Sequence, residues 1–336
     1  MLDYLDKFKG ALIGSAIGDT LGSPFEGKLR EEIFSQVNDF EDYLWKNKKK
    51  FNTYTDDTQL TLHLAEALIQ GNGFSLNNVI REFILWLDDP PIKPGYGCLT
   101  SIRKLKYGVT WEKTASTSGG NGSIMRITPI GLFYCKNIEL QKKMAELSSV
   151  ITHSHPAATA GAIIIARAIS YLIECHNKIQ INTEDFFNEM ISSISHLETD
   201  IQEEFIDALK KLKENLDLSL EPGLIKFSQI GVKSPYFIEQ YLGKAFVHPF
   251  SMSTVICTLF IFLKNLDSFT KCIFLLSTCG GDTDTVGAIG GGLAGAYFGF
   301  KKIPEELIKL VKKSKYIIDI SERLYKAYMK QFKKLI

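Results

Sequence analysis

The hydrophobic positions of this chain recur with a helical period along most of its length. In residues 57–70, for example, Leu60 and Leu64 fall on the same helix face, and Gly71 follows as a stop signal. Strict alternation of apolar and polar residues, which is typical of half-buried strands, is nearly absent. The pattern predicts an all-α fold of about a dozen helices, formed as a single compact domain over residues 1–336.

Two stretches, 88–98 and 216–250, have the Pro, Gly and polar content of loops. The chemical motifs described below lie on both sides of each loop, so neither is expected to divide the chain. The apolar stretch 286–300 is rich in glycine, which favours a packed interior helix over a membrane span. The other predicted helices cover residues 76–87, 139–151, 156–175, 183–196, 200–214, 253–264, 267–278, 284–299 and 304–332.

Composition adds a few limits on function. The chain has 336 residues, a formal net charge of +1 and 45% hydrophobic residues, as in an ordinary globular protein with an ample core. The near-zero charge argues against a nucleic-acid scaffold. The six cysteines show no C-x-x-C spacing, and the N-terminus lacks the features of a signal peptide. We therefore expect a cytoplasmic monomer with reduced thiols and no membrane segment.

Two short acidic clusters, T-D-D-T at residues 55–58 and D-T-D-T at residues 282–285, each precede a helical run. One such cluster is readily explained as a helix N-cap, and Asp56 with Gln59 fits a capping box. Two clusters carry more oxygen than caps need, and crowded carboxylates repel one another unless a cation or protons compensate. Because Mg²⁺ takes carboxylate and hydroxyl oxygens, the alternative is a two-metal site at helix N-termini.

A glycine-rich stretch near the N-terminus leads into a carboxylate. Gly14 and Gly18 are four residues apart, which leaves a groove where another helix can approach closely. This helix is expected to end near Asp19, and residues 22–27 are expected to form a tight loop that carries Glu26. The simplest interpretation of Glu26 is a solvated side chain, and a site residue is the alternative.

Two glycine-rich loops and a histidine complete the candidate chemistry. Residues 118–123 (S-G-G-N-G-S) and 94–97 (P-G-Y-G) offer backbone N–H groups suited to phosphate or ribose oxygens. Neither loop matches a P-loop or a dinucleotide fingerprint. Tyr96 could stack on a base or belong to a plain turn. His153 lies in T-H-S-H-P, where helix capping by the neighbouring Thr or Ser is the simpler interpretation.

Taken together, these segments resemble the ADP-ribosylglycohydrolase family, which includes dinitrogenase reductase-activating glycohydrolases, ADP-ribosylhydrolases and J1-crystallins. The resemblance runs from about residue 10 to residue 299. It rests on the order of the motifs, since no single one is diagnostic. They are G-D-x-x-G-S-x-x-E from residue 18, T-D-D-T-Q from residue 55, G-x-G from residue 95, G-N-G-S-x-M-R from residue 120, T-H-x-H from residue 152 and G-G-D-T-D-T from residue 280.

The resemblance implies a binuclear site for two Mg²⁺ ions, with Mn²⁺ as the alternative, between helix N-termini. It implies catalytic roles for Glu26, Asp57 and Asp284, with Glu26 over the metals as ligand or base. Thr283 points elsewhere in the family pattern. The implied metal ligands are Thr55, Asp56, Asp57, Asp282, Asp284 and Thr285.

The resemblance also implies a binding site for ADP-ribose and a reaction. The reaction is Mg²⁺-dependent hydrolysis at the anomeric carbon of the distal ribose, which releases ADP-ribose from a modified protein side chain or a small acceptor, as in an ADP-ribose ester. The substrate-binding residues implied by the motifs are Gly95, Tyr96, Gly97, Ser118, Gly119, Gly120, Asn121, Gly122, Ser123, Met125 and His153.

Two other functions and the type of linkage stay open at this point. The chain is alternatively a non-catalytic member of the same fold that binds ADP-ribose or has a structural role, as the crystallins have. A Mg²⁺-dependent nucleotide pyrophosphatase is the third interpretation. Some arginine-directed members use an additional acid before the G-x-G element, whereas here nothing acidic lies between Pro90 and Trp111.

Overall fold

The computed structural model describes residues 3–37, 39–51, 53–175 and 181–332. In these ranges it contains helices and isolated bridges but no β-strand, which confirms the predicted all-α fold. The parts of the predicted domain at residues 1–2, 38, 52, 176–180 and 333–336 lie outside the described residues.

The α-helices of the described residues differ widely in length, from five residues to nineteen. In chain order they are α1 (Tyr4–Gly22), α2 (Arg30–Phe34), α3 (Phe40–Asn47), α4 (Asp56–Gly71), α5 (Leu76–Trp86), α6 (Tyr96–Lys106), α7 (Thr128–Phe133), α8 (Ile138–Val150), α9 (Pro156–Glu174), α10 (Thr183–Ile194), α11 (Asp200–Glu214), α12 (Leu220–Phe227), α13 (Ser251–Leu263), α14 (Phe269–Ser277), α15 (Thr283–Phe298), α16 (Glu305–Leu310) and α17 (Ser314–Phe332).

The described residues thus contain seventeen helices where about a dozen are predicted. Four of the additional ones, α2, α3, α7 and α12, have five to eight residues, too few to show a 3.6-residue period. Helix α6 begins at Tyr96, inside the predicted loop 88–98. The prediction of one helix over 304–332 is wrong, because the chain turns between α16 and α17, where Lys313 has a left-handed φ of 56°.

Helices α1 and α15 pack antiparallel with their backbones in contact. Glycines recur every fourth residue on the facing sides, so that Gly14 meets Gly291 and Gly18 meets Gly287. A Cβ built on Gly18 would lie 1.8 Å from the carbonyl oxygen of Gly287. The expected close approach is therefore a contact between two glycine rows, and it brings the C-terminus of α1 beside the N-terminus of α15.

Around this pair, α9 packs against α7, α8, α10, α13 and α15 in the core. Among the helices of the described residues, α9 alone has the length and composition to cross a membrane, and 89% of its apolar window is buried inside the fold. The glycine-rich stretch 286–300, predicted to be an interior helix, forms most of α15, and the side chains of that helix are buried from residue 283 to residue 296.

Loops at one end of the bundle are tied together by isolated β-bridges. These join Ser116 to His153, Gly120 to Phe250 and Val247 to Gly281. The bridges bring the loop that follows a short 3₁₀ turn (Trp111–Lys113), the turn before α9 and the loop before α13 beside the N-terminus of α15. The segments singled out in the sequence therefore meet at one end of the fold.

Candidate active site

The N-termini of α4, α6 and α15 border a cavity of about 870 Å³. Segments from both acidic clusters, both glycine loops and the histidine motif reach it. The predicted site residues that line it are Glu26, Asp56, Asp57, Gly95, Tyr96, Gly97, Ser118, Gly119, Gly120, Asn121, Gly122, Met125, His153, Asp282, Asp284 and Thr285.

The first acidic cluster forms the N-terminus of α4. Thr55, and not Asp56, is the N-cap, and its Oγ1 accepts from the N–H of Asp57 at 3.3 Å. The same Oγ1 lies 3.0 Å from Oδ2 of Asp57. The carboxylate of Asp56 instead accepts from the N–H of Gly95 at 3.0 Å, which ties α4 to the start of α6. Gln59 does not close a capping box, since its amide binds the loop at Pro90 and Ile92.

The second cluster is set by two glycines in the left-handed region, Gly280 (φ 84°) and Gly281 (φ 76°). A Cβ on Gly281 would lie 2.2 Å from the carbonyl oxygen of Val247, so the turn into α15 needs glycine there. The hydroxyl of Thr283 faces α1, where it donates to the carbonyl of Gly22 at 2.8 Å. The neighbouring Asp282, Asp284 and Thr285 line the cavity.

A buried carboxylate supports the first cluster, although the sequence predicted for it only a place at the end of α1. Asp19 is fully buried and accepts from the N–H groups of Thr55 and Thr58, both within 3.0 Å, and from Thr58 Oγ1 at 2.6 Å. It therefore caps α4 from α1, which continues past it to Gly22. A signal was present in the sequence, since Asp19 is the one charged residue between Lys9 and Glu26.

Burial raises the pKa of every aspartate in this group. The pKa of Asp19 rises to about 6 and that of Asp56 to about 7. For Asp57 and Asp284 burial acts first and the neighbouring carboxylates add to it, so both pKa values lie well above the usual range. Burial also raises the pKa of Asp282. These shifts reflect the free-energy cost of burying several carboxylates close together without a compensating charge.

The donor set suits a hard cation. Carboxylate and hydroxyl oxygens are the ligands that Mg²⁺ prefers, and buried like charges need compensation. Thr285 Oγ1 adds a hydroxyl 3.2 Å from Oδ1 of Asp57, between the two clusters. Within the described residues, no group of three or more His, Cys, Asp or Glu side chains is already arranged as a metal site. The residues thus supply the right donors without forming a closed coordination shell.

Glu26 lies at the edge of the cavity, in the loop after α1. The N–H of Gly27 donates to the carbonyl of Gly281 at 2.9 Å, which fixes this loop beside the second acidic cluster. The side chain of Glu26 is 45% exposed, and Lys93 Nζ donates to its Oε2 at 3.1 Å. Lys93 also donates to the carbonyl of Ser23 at 2.6 Å. A cation from the loop before α6 therefore lies against the predicted catalytic glutamate.

The two glycine loops line the same cavity beside the acidic clusters. At the start of α6, the N–H groups of Tyr96 and Gly97 belong to the first turn, where a helix offers free donors to an anion. In the other loop, Asn121 Nδ2 donates to Asp282 Oδ2 at 2.6 Å, so this residue orients the acidic cluster. The hydroxyl of Ser123 bonds to Ser149 instead, which places it behind the cavity and not in it.

His153 is buried where these two loops meet. A Cβ on Gly97 or on Gly122 would lie 2.9 or 3.0 Å from its Nε2, so only glycine leaves room for the ring. Burial, and next the charge of Arg126, lower the pKa of His153 to about 3. The ring is therefore neutral at physiological pH and offers one N–H.

Known proteins resemble this chain along most of its length. The chain is 26% identical to the ADP-ribosyl-(dinitrogen reductase) glycohydrolase of Rhodospirillum rubrum, over 89% of this chain and 88% of that one. It is 27% identical to the ADP-ribosylhydrolase ARH3 of Mus musculus, over 90% of this chain and 86% of that one. Both relatives carry the names of hydrolases that remove ADP-ribose.

Fold similarity extends over the whole chain as well. A solved ADP-ribosylglycohydrolase-related protein complex superimposes with a TM-score of 0.68, covering 98% of this chain and 100% of that one, at 22% identity. The family model described as ADP-ribosylglycohydrolase matches residues 1–334. The chain therefore belongs to the ADP-ribosylglycohydrolase family and is an enzyme of the glycosidic-bond hydrolase type.

Proposed function

We propose that this chain is a Mg²⁺-dependent hydrolase that cleaves the glycosidic bond between ADP-ribose and a modified protein side chain or a small acceptor. One observation carries the proposal: two acidic clusters more than 200 residues apart meet in a single cavity, as the contact between Asp57 and Thr285 shows. The same cavity is lined by the two glycine loops. Oxygen ligands for a cation and N–H donors for an anion thus line one cavity, whose volume of about 870 Å³ suits a dinucleotide-sized ligand.

Each wall of the cavity has a part in this reaction. When bound, two Mg²⁺ ions, or Mn²⁺, would act as Lewis acids and lower the pKa of a water molecule. Asp56, Asp57, Asp282, Asp284 and the hydroxyls of Thr55 and Thr285 would hold them. The N-terminus of α6 and the loop 118–122 would bind the diphosphate and ribose oxygens.

Glu26 would be the group that moves the proton. As water attacks the anomeric carbon, the bond from that carbon to the acceptor atom breaks. The proton released by the water passes to the carboxylate of Glu26 and from there to the leaving group. The exposure of Glu26 at the edge of the cavity gives the leaving group a path to solvent.

The Lys93 ammonium favours some linkages over others. It lies 3.1 Å from Glu26 Oε2, where the leaving group would depart. A guanidinium leaving group would bring a second positive charge to this place, whereas a serine hydroxyl or an ester carboxylate would not. We therefore propose that uncharged or anionic leaving groups are preferred to arginine.

A panel of linkages assayed with and without Mg²⁺ tests the proposal. Proteins ADP-ribosylated on arginine or on serine, and O-acetyl-ADP-ribose, are incubated with the metal-loaded protein, and the product is identified. Mg²⁺-dependent release of ADP-ribose supports the proposal, and AMP as product would instead indicate a pyrophosphatase. Calorimetric binding of ADP-ribose without turnover on any linkage would indicate a non-catalytic member of the family.

A further inference from the structure

Arg126 is a buried cation without a carboxylate partner in the described part of the chain. It is fully buried, and its guanidinium lies 4.6 Å from the ring centre of Phe83. Its Nη1 donates to the carbonyl of Gly122 at 2.8 Å, and its Nη2 donates to the carbonyl of Ser148 at 3.0 Å. A buried charge that is paired only with neutral acceptors is costly, so its position calls for a reason in the function of the site.

Arg126 Nη1 also donates to Cys98 Sγ at 3.4 Å, and a further contact of Arg126 leads to the cavity. Its Nη2 donates to Thr152 Oγ1 at 2.7 Å, and the same oxygen lies 2.9 Å from Nδ1 of His153. Thr152 is fully buried. Arg126 is therefore separated from the cavity histidine by one hydroxyl group.

Counting donors and acceptors settles the direction of these bonds. A guanidinium only donates, so Thr152 Oγ1 accepts from Arg126 and keeps one proton of its own. Among the described residues, His153 Nδ1 is the one acceptor within reach of that proton. If Nδ1 carried a proton instead, the hydroxyl proton of Thr152 would be buried without an acceptor, which costs free energy. The satisfied arrangement has Thr152 donating to Nδ1.

We propose that Arg126 is a positioning residue that acts through Thr152 to fix His153 as the Nε2–H tautomer, so that His153 donates a hydrogen bond to an oxygen of the bound ADP-ribose. No residue in the described part of the chain accepts from Nε2, and His153 lines the cavity beside Gly97 and Gly122. The identity of the ligand rests on the proposed function, whereas the tautomer does not.

The buried charge then has two effects on one ring. Through the hydroxyl it selects the nitrogen that keeps the proton, and through its positive field it opposes a second proton, consistent with the lowered pKa of His153. Both effects leave a neutral ring with a single donor. A ligand that presents an oxygen acceptor gains a hydrogen bond there, and a ligand that presents a donor does not.

Two other histidines of the cavity provide internal controls. His155 Nδ1 accepts from the N–H of Ala157 at 3.1 Å, and His248 Nδ1 accepts from the N–H of Phe250 at 3.0 Å. Backbone donors set these two tautomers, so a change at Thr152 should leave them as they are.

The first experiment is ¹⁵N NMR of the imidazole rings in the ligand-free, histidine-labelled protein, with His153 assigned by its loss in His153→Asn. We expect His153 Nδ1 to have the shift of an unprotonated nitrogen from pH 6 to pH 9. Thr152→Val keeps the shape and removes the hydroxyl, and it should produce a mixture of tautomers at His153 alone. Thr152→Ser should restore the single tautomer. A protonated Nδ1 in the unaltered protein, or no change in Thr152→Val, would overturn the proposal.

The second experiment measures the dissociation constant of ADP-ribose by calorimetry. Loss of one hydrogen bond to a ligand oxygen should raise it about tenfold in Thr152→Val, and much less in Thr152→Ser. An unchanged dissociation constant together with an altered tautomer would overturn the donor role of His153. If the unaltered protein binds no ADP-ribose, the proposed function fails while the NMR result still decides the tautomer. Arg126→Met removes the donor to Thr152 Oγ1 and should show the same mixture of tautomers, and a single Nε2–H tautomer in this variant would remove Arg126 from the proposal.

Discussion

Thr285 Oγ1 lies 3.2 Å from Oδ1 of Asp57, across 228 positions of the sequence. The hydroxyl belongs to the first turn of α15 and the carboxylate to the first turn of α4. Two helix N-termini, each already electropositive, thus direct their acidic residues into the same space. The contact makes the two clusters one site, and it defines which substitutions should disable that site.

Replacing Asp284 with asparagine should abolish Mg²⁺-dependent hydrolysis. We expect a loss of at least about a hundredfold in kcat/KM, because stabilisation by a metal ion is worth several kcal/mol. The same change removes one of several crowded buried carboxylates, so the metal-free variant should be more stable, by about 2 °C in Tm for each kcal/mol gained. Activity is measured with a Mg²⁺ titration and stability by calorimetry in EDTA.

The matched control for this experiment is Asp267→Asn. Its carboxylate is 67% exposed and pairs with Lys271 in the i,i+4 arrangement at the surface. This change should alter neither activity nor metal-free stability by a measurable amount. Asp284→Asn with activity close to that of the unaltered protein would contradict the assignment of Asp284 to the metal site.

Replacing Gly18 with alanine should separate α1 from α15. The added Cβ would lie 1.8 Å from the carbonyl oxygen of Gly287, and backbone on both sides cannot move aside as a side chain can. Overpacking of this kind should cost about 3 kcal/mol or more, measured as the free energy of unfolding in urea. Glu26 lies in the loop that follows α1, and Asp282 is the N-cap of α15, so Mg²⁺ affinity should fall as well.

Gly71→Ala is the control for this substitution, since Gly71 is likewise a helical glycine and is the last residue of α4. An added Cβ there would meet the side chain of Asn78 at 3.1 Å, and that side chain can move. Stability should change by less than about 1 kcal/mol. Equal effects of the two substitutions would show that the contact between the glycine rows is not what holds α1 against α15.

The stability of the protein should depend on pH through His153. Its folded-state pKa of about 3 lies below the ordinary value of 6.5. Between these two pH values His153 therefore binds a proton in the unfolded chain and not in the folded chain. The contribution of His153 to stability is therefore lost as the pH falls from 6.5 towards 3. Between pH 7 and pH 5 the unaltered protein should lose about 2 kcal/mol relative to His153→Asn, because the buried carboxylates, whose raised pKa values act in the opposite direction, are present in both proteins. Urea unfolding at both pH values measures it, in the unaltered protein and in His153→Asn.

This loss should be absent from His153→Asn and present in His196→Asn, where the substituted histidine is exposed. For each protein, the free energy of unfolding at pH 5 is subtracted from that at pH 7. An effect of either substitution that does not depend on pH therefore cancels. The same pH dependence in His153→Asn as in the unaltered protein would show that His153 takes up its proton as easily in the folded state as in the unfolded one.

Lys93→Ala should change the preference among linkages. Without the ammonium beside Glu26, the ratio of kcat/KM for arginine-linked to serine-linked substrate should rise about threefold, the size expected for a partly exposed charge. Lys106→Ala is the control, because Lys106 pairs with Asp88 at 2.9 Å and does not line the cavity. If this ratio stays the same in both variants, Lys93 does not determine the preference among linkages.

Much of the fold and of the site could be predicted from the sequence, because both use patterns that are local. Long amphipathic helices repeat their apolar positions several times, and the clusters 55–58 and 282–285 have more oxygen than a helix cap needs. The glycine spacing of α1 also indicated a close approach. That the approaching partner is α15, with its own glycines in register, is a fact of the tertiary structure.

What the sequence did not reveal is set by contacts between distant residues. Asp19 caps a helix that begins 37 positions later, and although it is the one charged residue between Lys9 and Glu26, no neighbouring position indicates which helix it caps. Ser123 belongs to the loop motif but bonds to Ser149 behind the cavity. The short helices α2, α3, α7 and α12 are held by packing and not by their own periodicity. Partners of this kind appear only once the chain is folded.

The contact between the glycine rows of α1 and α15 has a consequence for how this protein can change over time. Side-chain packing can be altered one methyl group at a time, and the distance between two ordinary helices shifts with each change. Here the distance is set by peptide groups, whose dimensions are covalent and the same in every variant. The rest of the core can therefore accumulate substitutions while the separation between Glu26 and Asp282 stays constant.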